Sequence, residues 1–225
     1  MMHNLRKAIV FGATGLVGSH LVKILCENAQ YKDVVCFNRH SWKFDHPKYR
    51  EITSTLTDLK SIAKQIVGDD LFICTGTTIK KAGSKEKFRE IDHKLPLEIA
   101  RIASRNNMQR LLLVSSVGAD PESSNFYLHT KGELEKDIMN LKIPHKTILR
   151  PSMLLGKRKE LRLAEGAAKI LMKITGPVFM GKLKKYRGIQ AEDVAAAMVI
   201  IAVSEPSKRV IFESDEVREI ARAGF

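Results

Sequence analysis

Cysteine is scarce. The chain holds three, Cys26, Cys36 and Cys74, each inside an apolar run and none in a CxxC pair. That spacing excludes a disulfide framework and reads as buried thiols in a reducing compartment. Long apolar runs are missing too: the longest, residues 194–203, falls well short of the roughly 20 residues a bilayer-spanning helix needs. The seven histidines show no metal-ligand spacing such as HExxH. No GxSxG elbow supports a serine hydrolase. Zinc-finger, basic-zipper and aromatic RNA-binding patterns are absent, so nucleic acid is not the expected partner. The opening residues, MMHNLRKAIVFG, run straight into a strand-like segment and leave no room for a signal peptide. A cytoplasmic protein that does not enter the membrane is therefore expected. Acidic residues are outnumbered, 25 against 38 Lys and Arg, for a net charge of +13. Such a balance favours anionic partners, a phosphorylated cofactor among them.

The most informative stretch is residues 7–25, KAIVFGATGLVGSHLVKIL. A short apolar run leads into Gly12, Gly15 and Gly18 at spacings of three, and then into apolar residues at helical spacing. Strand, glycine turn and helix in that order fit a dinucleotide-binding turn. Gly12 allows the tight turn, Gly15 lets the backbone approach a pyrophosphate, and Gly18 lets the helix lie against the strand. The N–H groups and partial positive charge of the helix start favour the anion.

Further along, apolar runs predict strands near residues 34–37, 49–52, 71–74, 111–114, 147–149 and 210–212, with helical patterns between them. The alternation predicts an α/β fold, a doubly wound parallel sheet of the Rossmann type, as a single domain over residues 1–225. Residues 152–225 are expected to form a short C-terminal extension on the substrate side. The second strand ends at Asn38-Arg39-His40 without an adjacent acid, which favours NADP over NAD because an arginine there accommodates a 2′-phosphate. Thr75 and Gly76 follow the fourth strand, at the sheet edge where ligands bind. Residues 79–87 read as a loop with four lysines, either a lid over phosphates or a solvated cluster. Pro96 should kink the helical pattern around it or mark a new start.

Tyr127 and Lys131 lie four apart on the helix after the fifth strand, and so share a face. That strand ends in Ser115-Ser116. The combination suits carbonyl chemistry. A free phenol has a pKa near 10, and a neighbouring ammonium favours its ionised form. Tyr127 is the expected proton donor or acceptor, Ser116 the group that holds the carbonyl oxygen, and Lys131 the partner of Tyr127 and a ligand of the nicotinamide ribose. His129 projects from another face and reads as surface or packing. Cys74 is the sole candidate nucleophile for a rival semialdehyde dehydrogenase reading.

At these residues the chain resembles the short-chain dehydrogenase/reductase superfamily, in its atypical branch, and within it the HIV Tat-interacting oxidoreductase family. The likeness runs through GATGLVG, NRH, CTGTT with KAG, SSVGAD, SSNFYLHTKGELE and ILRPSMLLG, over residues 5 to about 160. It implies an NADP-binding Rossmann domain, with Thr14, Gly15, Leu16 and Val17 at the pyrophosphate and Arg39 and His40 at the adenosine phosphate. It implies Thr75 and Gly76 beside the cofactor, Tyr127 and Lys131 as the catalytic pair, and Leu154 and Arg162 as further cofactor contacts. Two departures stand out. Arg39-His40 occupies a place where the family often has two arginines, and Thr75-Gly76-Thr77-Thr78 replaces the NNAG motif of the wider superfamily. The expected function is an NADP-dependent oxidoreductase acting on a small carbonyl or alcohol. The alternative is an NADP(H)-binding sensor that signals to a protein partner with little turnover. Little chain remains for a substrate domain, so the pocket is shallow or shared with a second subunit in a homodimer.

Overall fold

The computed structural model describes residues 5–156 and 181–224. Strand β1 (Arg6–Phe11) is followed by α1 (Leu16–Glu27), β2 (Tyr31–Asn38), β3 (Tyr49–Thr53) and α2 (Leu59–Ile62). Next come β4 (Asp70–Ile73), the short helices α3 (Ile79–Ala82) and α4 (Lys85–Arg89), a π-helical turn over Glu90–Lys94, and α5 (Leu95–Arg105). Then β5 (Arg110–Val114), α6 (Phe126–Met139) and β6 (His145–Arg150) complete the second half. After residue 180, α7 (Ala191–Val203) precedes β9 (Ile211–Glu213) and α8 (Ser214–Ala223). The two-residue strands β7 (Leu154–Leu155) and β8 (Ile189–Gln190) pair with each other apart from the main sheet.

The main sheet has seven parallel strands in the order β3-β2-β1-β4-β5-β6-β9. The chain moves outward from β1 to β3 and then crosses back to β4 on the other side of β1. A crevice therefore opens between the carboxyl ends of β1 and β4.

Alternate residues of the central strands face opposite layers. Ala8, Val10, Val34, Cys36, Phe72 and Leu112 pack under α1, α7 and α8, with Leu21, Leu25, Met198 and Val217 among the facing side chains. Ile9, Phe11, Val35, Phe37, Leu71 and Leu113 pack under α2, α5 and α6, against Ile62, Ile99, Ala103 and Ile138. Both faces are dry, which is why these strands read as continuous apolar runs.

One segment differs from the sequence expectation. Residues 79–87 do not form an open loop. The Thr78 and Ser84 hydroxyls accept from the N–H groups of Lys81 and Lys87, each at 3.2 Å, and so cap two successive helical turns. Pro96 marks a new start: α5 begins at Leu95 with Pro96 in its first turn, directly after the π-helical segment, where its missing N–H is tolerated.

Candidate functional site

The glycine turn is built by exclusion. Gly12 has φ +84°, a left-handed conformation that other residues rarely adopt, and a Cβ on it would lie 2.6 Å from the Cys74 carbonyl carbon. A Cβ on Gly18 would lie 2.1 Å from the Gly12 oxygen, so α1 rests directly on the turn. The Gly15 N–H bonds back to the Gly12 oxygen at 2.9 Å. Gly15 caps α1 without a side-chain hydrogen bond to the first turn among the described residues. Leu16 and Val17 turn their side chains into the core, so their contribution to a bound anion is confined to backbone N–H groups.

A cleft of about 750 Å³ runs along the carboxyl edge of the sheet. Its walls include Gly12, Thr14, Gly15, Arg39, Leu56, Asp58, Thr75 and Gly76. These walls bring six of the expected site residues together. His40 is exposed beside Arg39 but does not line the cleft. Ser116, Tyr127, Lys131 and Leu154 also stand outside its walls. Arg162 lies outside the described residues.

Whether the cleft fits a dinucleotide is tested by one atom in particular. Thr75 Oγ1 is buried and has no hydrogen-bond partner among the described residues. A buried hydroxyl left unpaired is costly, and here it lies on a residue lining a cleft. The orphaned hydroxyl, the bare glycine turn and the volume together fit a nucleotide with linked phosphates.

Beyond the Gly76 wall of the cleft, α6 carries Tyr127 and Lys131. Asn125 starts this helix by accepting from the N–H groups of Tyr127 and Leu128, at 3.0 and 3.2 Å. Gly132 is required at a close approach, because a Cβ there would lie 2.2 Å from the backbone of Asp120 and Pro121. Tyr127 is half-buried, its ring 5.5 Å from that of Phe88. Lys131 is buried, and its Nζ lies 2.7 Å from Asp92 Oδ1. Asp92 Oδ2 accepts from the Thr77 N–H at 2.8 Å. Burial works against the Lys131 ammonium, but Asp92 and Tyr127 more than reverse this, and its pKa is raised. A Cβ on Gly76 would be 3.4 Å from Asp92 Oδ1 and 3.8 Å from Lys131 Nζ, so Gly76 is where the cleft meets the Lys131–Asp92 pair.

The two serines after β5 divide. Ser115 is buried and donates to Glu135, which is itself paired with Arg150. Ser116 is half-buried, and its hydroxyl makes a long 3.4 Å contact to the Val117 oxygen. Leu154 is half-buried, pairs with Ile189 and packs against the core layer around α1. His129 is a surface residue 3.4 Å from Glu133. Burial pushes the Cys74 thiol up to about 12, which leaves it protonated at neutral pH and unsuited to nucleophilic attack.

Two functional groups escaped the sequence reading. Asp92 lies in a π turn, where helical periodicity gives no signal. Glu51 lies on β3 and collects the turn after β2. Its side chain accepts from Asn38, Ser41, the Trp42 N–H and Tyr49.

A parallel sheet with a glycine turn at its switch point, opening on a cleft of this size, defines a dinucleotide-binding fold. The chain belongs to the NAD(P)H-binding family, whose profile matches residues 12–205. It is 34% identical over 215 residues to "Protein FMP52, mitochondrial" of Candida glabrata, covering 95% of this chain and 91% of that protein. It is 34% identical over 225 residues to the protein of the same name from Meyerozyma guilliermondii, covering 96% and 95%. Among solved structures, the Bordetella bronchiseptica enzyme WbmH in complex with NAD+ superimposes with a TM-score of 0.68 at 16% identity, covering 97% of this chain and 80% of that one. At that identity the likeness is one of fold.

The relatives' names overturn the cytoplasmic expectation, since they are called mitochondrial. That expectation rested on short apolar runs and on the form of the first residues. Both report on bilayer crossing and secretion, and neither reads an organelle address. No helix among the described residues is long and apolar enough to cross a membrane.

Proposed function

We propose that this chain is an NADP-dependent oxidoreductase of the short-chain dehydrogenase/reductase type, acting on a small carbonyl or alcohol, with Tyr127 as the acid/base. Its motifs are most like those of the HIV Tat-interacting oxidoreductase family, and by analogy with its relatives it works in the mitochondrion. The observation that carries the reading is Lys131. A buried ammonium shares the Tyr127 face of α6 and sits against Gly76, at the inner end of the nucleotide-sized cleft.

In this reading the bare backbone at Gly15 lets the pyrophosphate approach, and the N–H groups of Leu16 and Val17 hold it. Arg39, with His40 beside it, meets the 2′-phosphate, and Thr75 Oγ1 bonds the nucleotide. The bound cofactor supplies or accepts the hydride. Tyr127 gives its proton to the substrate oxygen or takes it back, Ser116 holds that oxygen, and Lys131 steadies the phenol's charge.

One observation favours the sensor reading: the walls of the large cleft do not reach Tyr127. NADPH oxidation against a panel of small carbonyls separates the two. Turnover by the wild type that falls at least about 100-fold in Tyr127→Phe, with NADPH still bound, supports the enzyme. Tight NADPH binding without turnover of any carbonyl supports the sensor and overturns the enzyme.

A further inference from the structure

We infer that Asp92 is a positioning residue that anchors Lys131 and balances its charge, and so sets how strongly that ammonium acts on the Tyr127 phenol. This rests on the proposed oxidoreductase reading and adds the residue that tunes its acid/base.

The Lys131–Asp92 pair is almost wholly enclosed. The side chains of Lys131 and Asp92 are 5% and 1% exposed, and Nζ lies 2.7 Å from Oδ1. Attraction at that distance is little screened by solvent. The other carboxylate oxygen is held by the Thr77 N–H, so Asp92 cannot swing away without leaving that donor unpaired. Asp92 thus ties the strand-end loop beside the cleft to the middle of α6.

The segment that carries Asp92 is fixed to α6 on both sides. Arg89 pairs with Glu133, and His93 Nε2 meets Asp137 Oδ2 at 2.9 Å. On α6 itself, Glu135 also lies within reach of Lys131, but it is bound by Arg150 from the end of β6 and by Ser115. Lys131 pairs directly with Asp92, and Tyr127 lies one turn before Lys131 on α6.

An ammonium alone beside a phenol favours phenolate, the form that removes a proton from an alcohol. A carboxylate in contact with that ammonium offsets the effect. The step this bears on is a proton transfer. The Tyr127 O–H bond breaks, an O–H bond forms on the carbonyl oxygen, and solvent reprotonates the phenolate; the reductant is the reduced nicotinamide dinucleotide of the proposed function.

The test reads Tyr127 directly. The full chain is labelled with [ζ-13C]tyrosine, the Tyr127 resonance is assigned with Tyr127→Phe, and its shift is followed against pH. Asp92→Asn keeps the shape and removes the charge, and should lower the titration midpoint by about one pH unit or more. Lys131→Met with Asp92→Asn removes the pair as a neutral unit, and its midpoint should stay within about half a unit of wild type. A midpoint unmoved or raised in Asp92→Asn overturns the inference. If that variant does not fold, a midpoint raised by more than about one unit in the double variant overturns it equally. Absence of carbonyl turnover with the expected midpoint shift sinks the oxidoreductase reading and leaves the charge balance standing. Turnover with an unmoved midpoint sinks this inference alone.

Discussion

Asn38 Nδ2 donates to Glu51 Oε1 at 2.6 Å, and this contact fixes the turn from which Arg39 and His40 project. The same carboxylate takes the Trp42 N–H at 2.9 Å, the Tyr49 hydroxyl at 3.0 Å and the Ser41 hydroxyl at 2.8 Å. Burial pushes the Glu51 pKa up, but its four donors outweigh burial and hold it below the usual 4.5. A carboxylate with a depressed folded pKa contributes stability that is complete above its unfolded value and is lost as pH falls through the folded one. Glu51→Gln should therefore cost about 1–2 kcal/mol at pH 7 and flatten the acid-side loss. Thermal melts of both proteins between pH 3 and 7 check this. Parallel curves would show that the carboxylate's charge contributes nothing to the turn.

Arg39 lines the cleft and is exposed, available to a phosphate at the nucleotide's adenosine end. Arg39→Ala should weaken NADPH at least about tenfold, near 1.4 kcal/mol, and leave NADH almost unchanged. Calorimetric titration with both nucleotides gives the ratio. An equal loss for both, or none, would remove the basis for preferring NADP.

At Gly18 the gap to the Gly12 oxygen leaves no space for even a methyl group. The clashing atom is backbone, so no side chain can move aside. Gly18→Ala should either displace α1 or lower stability by about 3 kcal/mol or more, as overpacking does where relief is blocked. Urea unfolding measures the cost, and an unchanged midpoint would contradict the contact.

Thr75 offers a cleaner separation of binding from folding. Its hydroxyl has no partner among the described residues, so Thr75→Val removes no hydrogen bond those residues make. Stability without nucleotide should be unchanged or raised by about 1 kcal/mol, and nucleotide affinity should fall about five- to tenfold. Loss of stability without loss of affinity would mean that the hydroxyl serves the fold.

Much of this architecture is legible in the sequence, because strands buried on both faces leave apolar runs that need no periodicity to be seen. Residues 8–11, 34–37 and 111–114 all fall within observed strands. The helix carrying Tyr127 and Lys131 begins where Asn125 caps it. What stayed hidden depends on contacts between distant segments. Asp92 reaches Lys131 across 39 positions, and nothing in EIDHK marks it, because a π turn leaves no regular helical periodicity. The Thr78 and Ser84 caps hid within a lysine-rich stretch that resembles a solvated loop. Ser115 and Ser116 are identical in sequence, yet only Ser115 turns inward to Glu135, a choice made by strand parity and by the Glu135–Arg150 pair.

The most direct measurement is a crystal structure of the complex with NADPH. The pyrophosphate should lie against Gly15 on the N–H groups of Leu16 and Val17, the 2′-phosphate at Arg39, and the nicotinamide within contact of Tyr127 and Lys131. A nicotinamide directed away from α6, or a nucleotide bound elsewhere with the glycine turn unused, would contradict this placement.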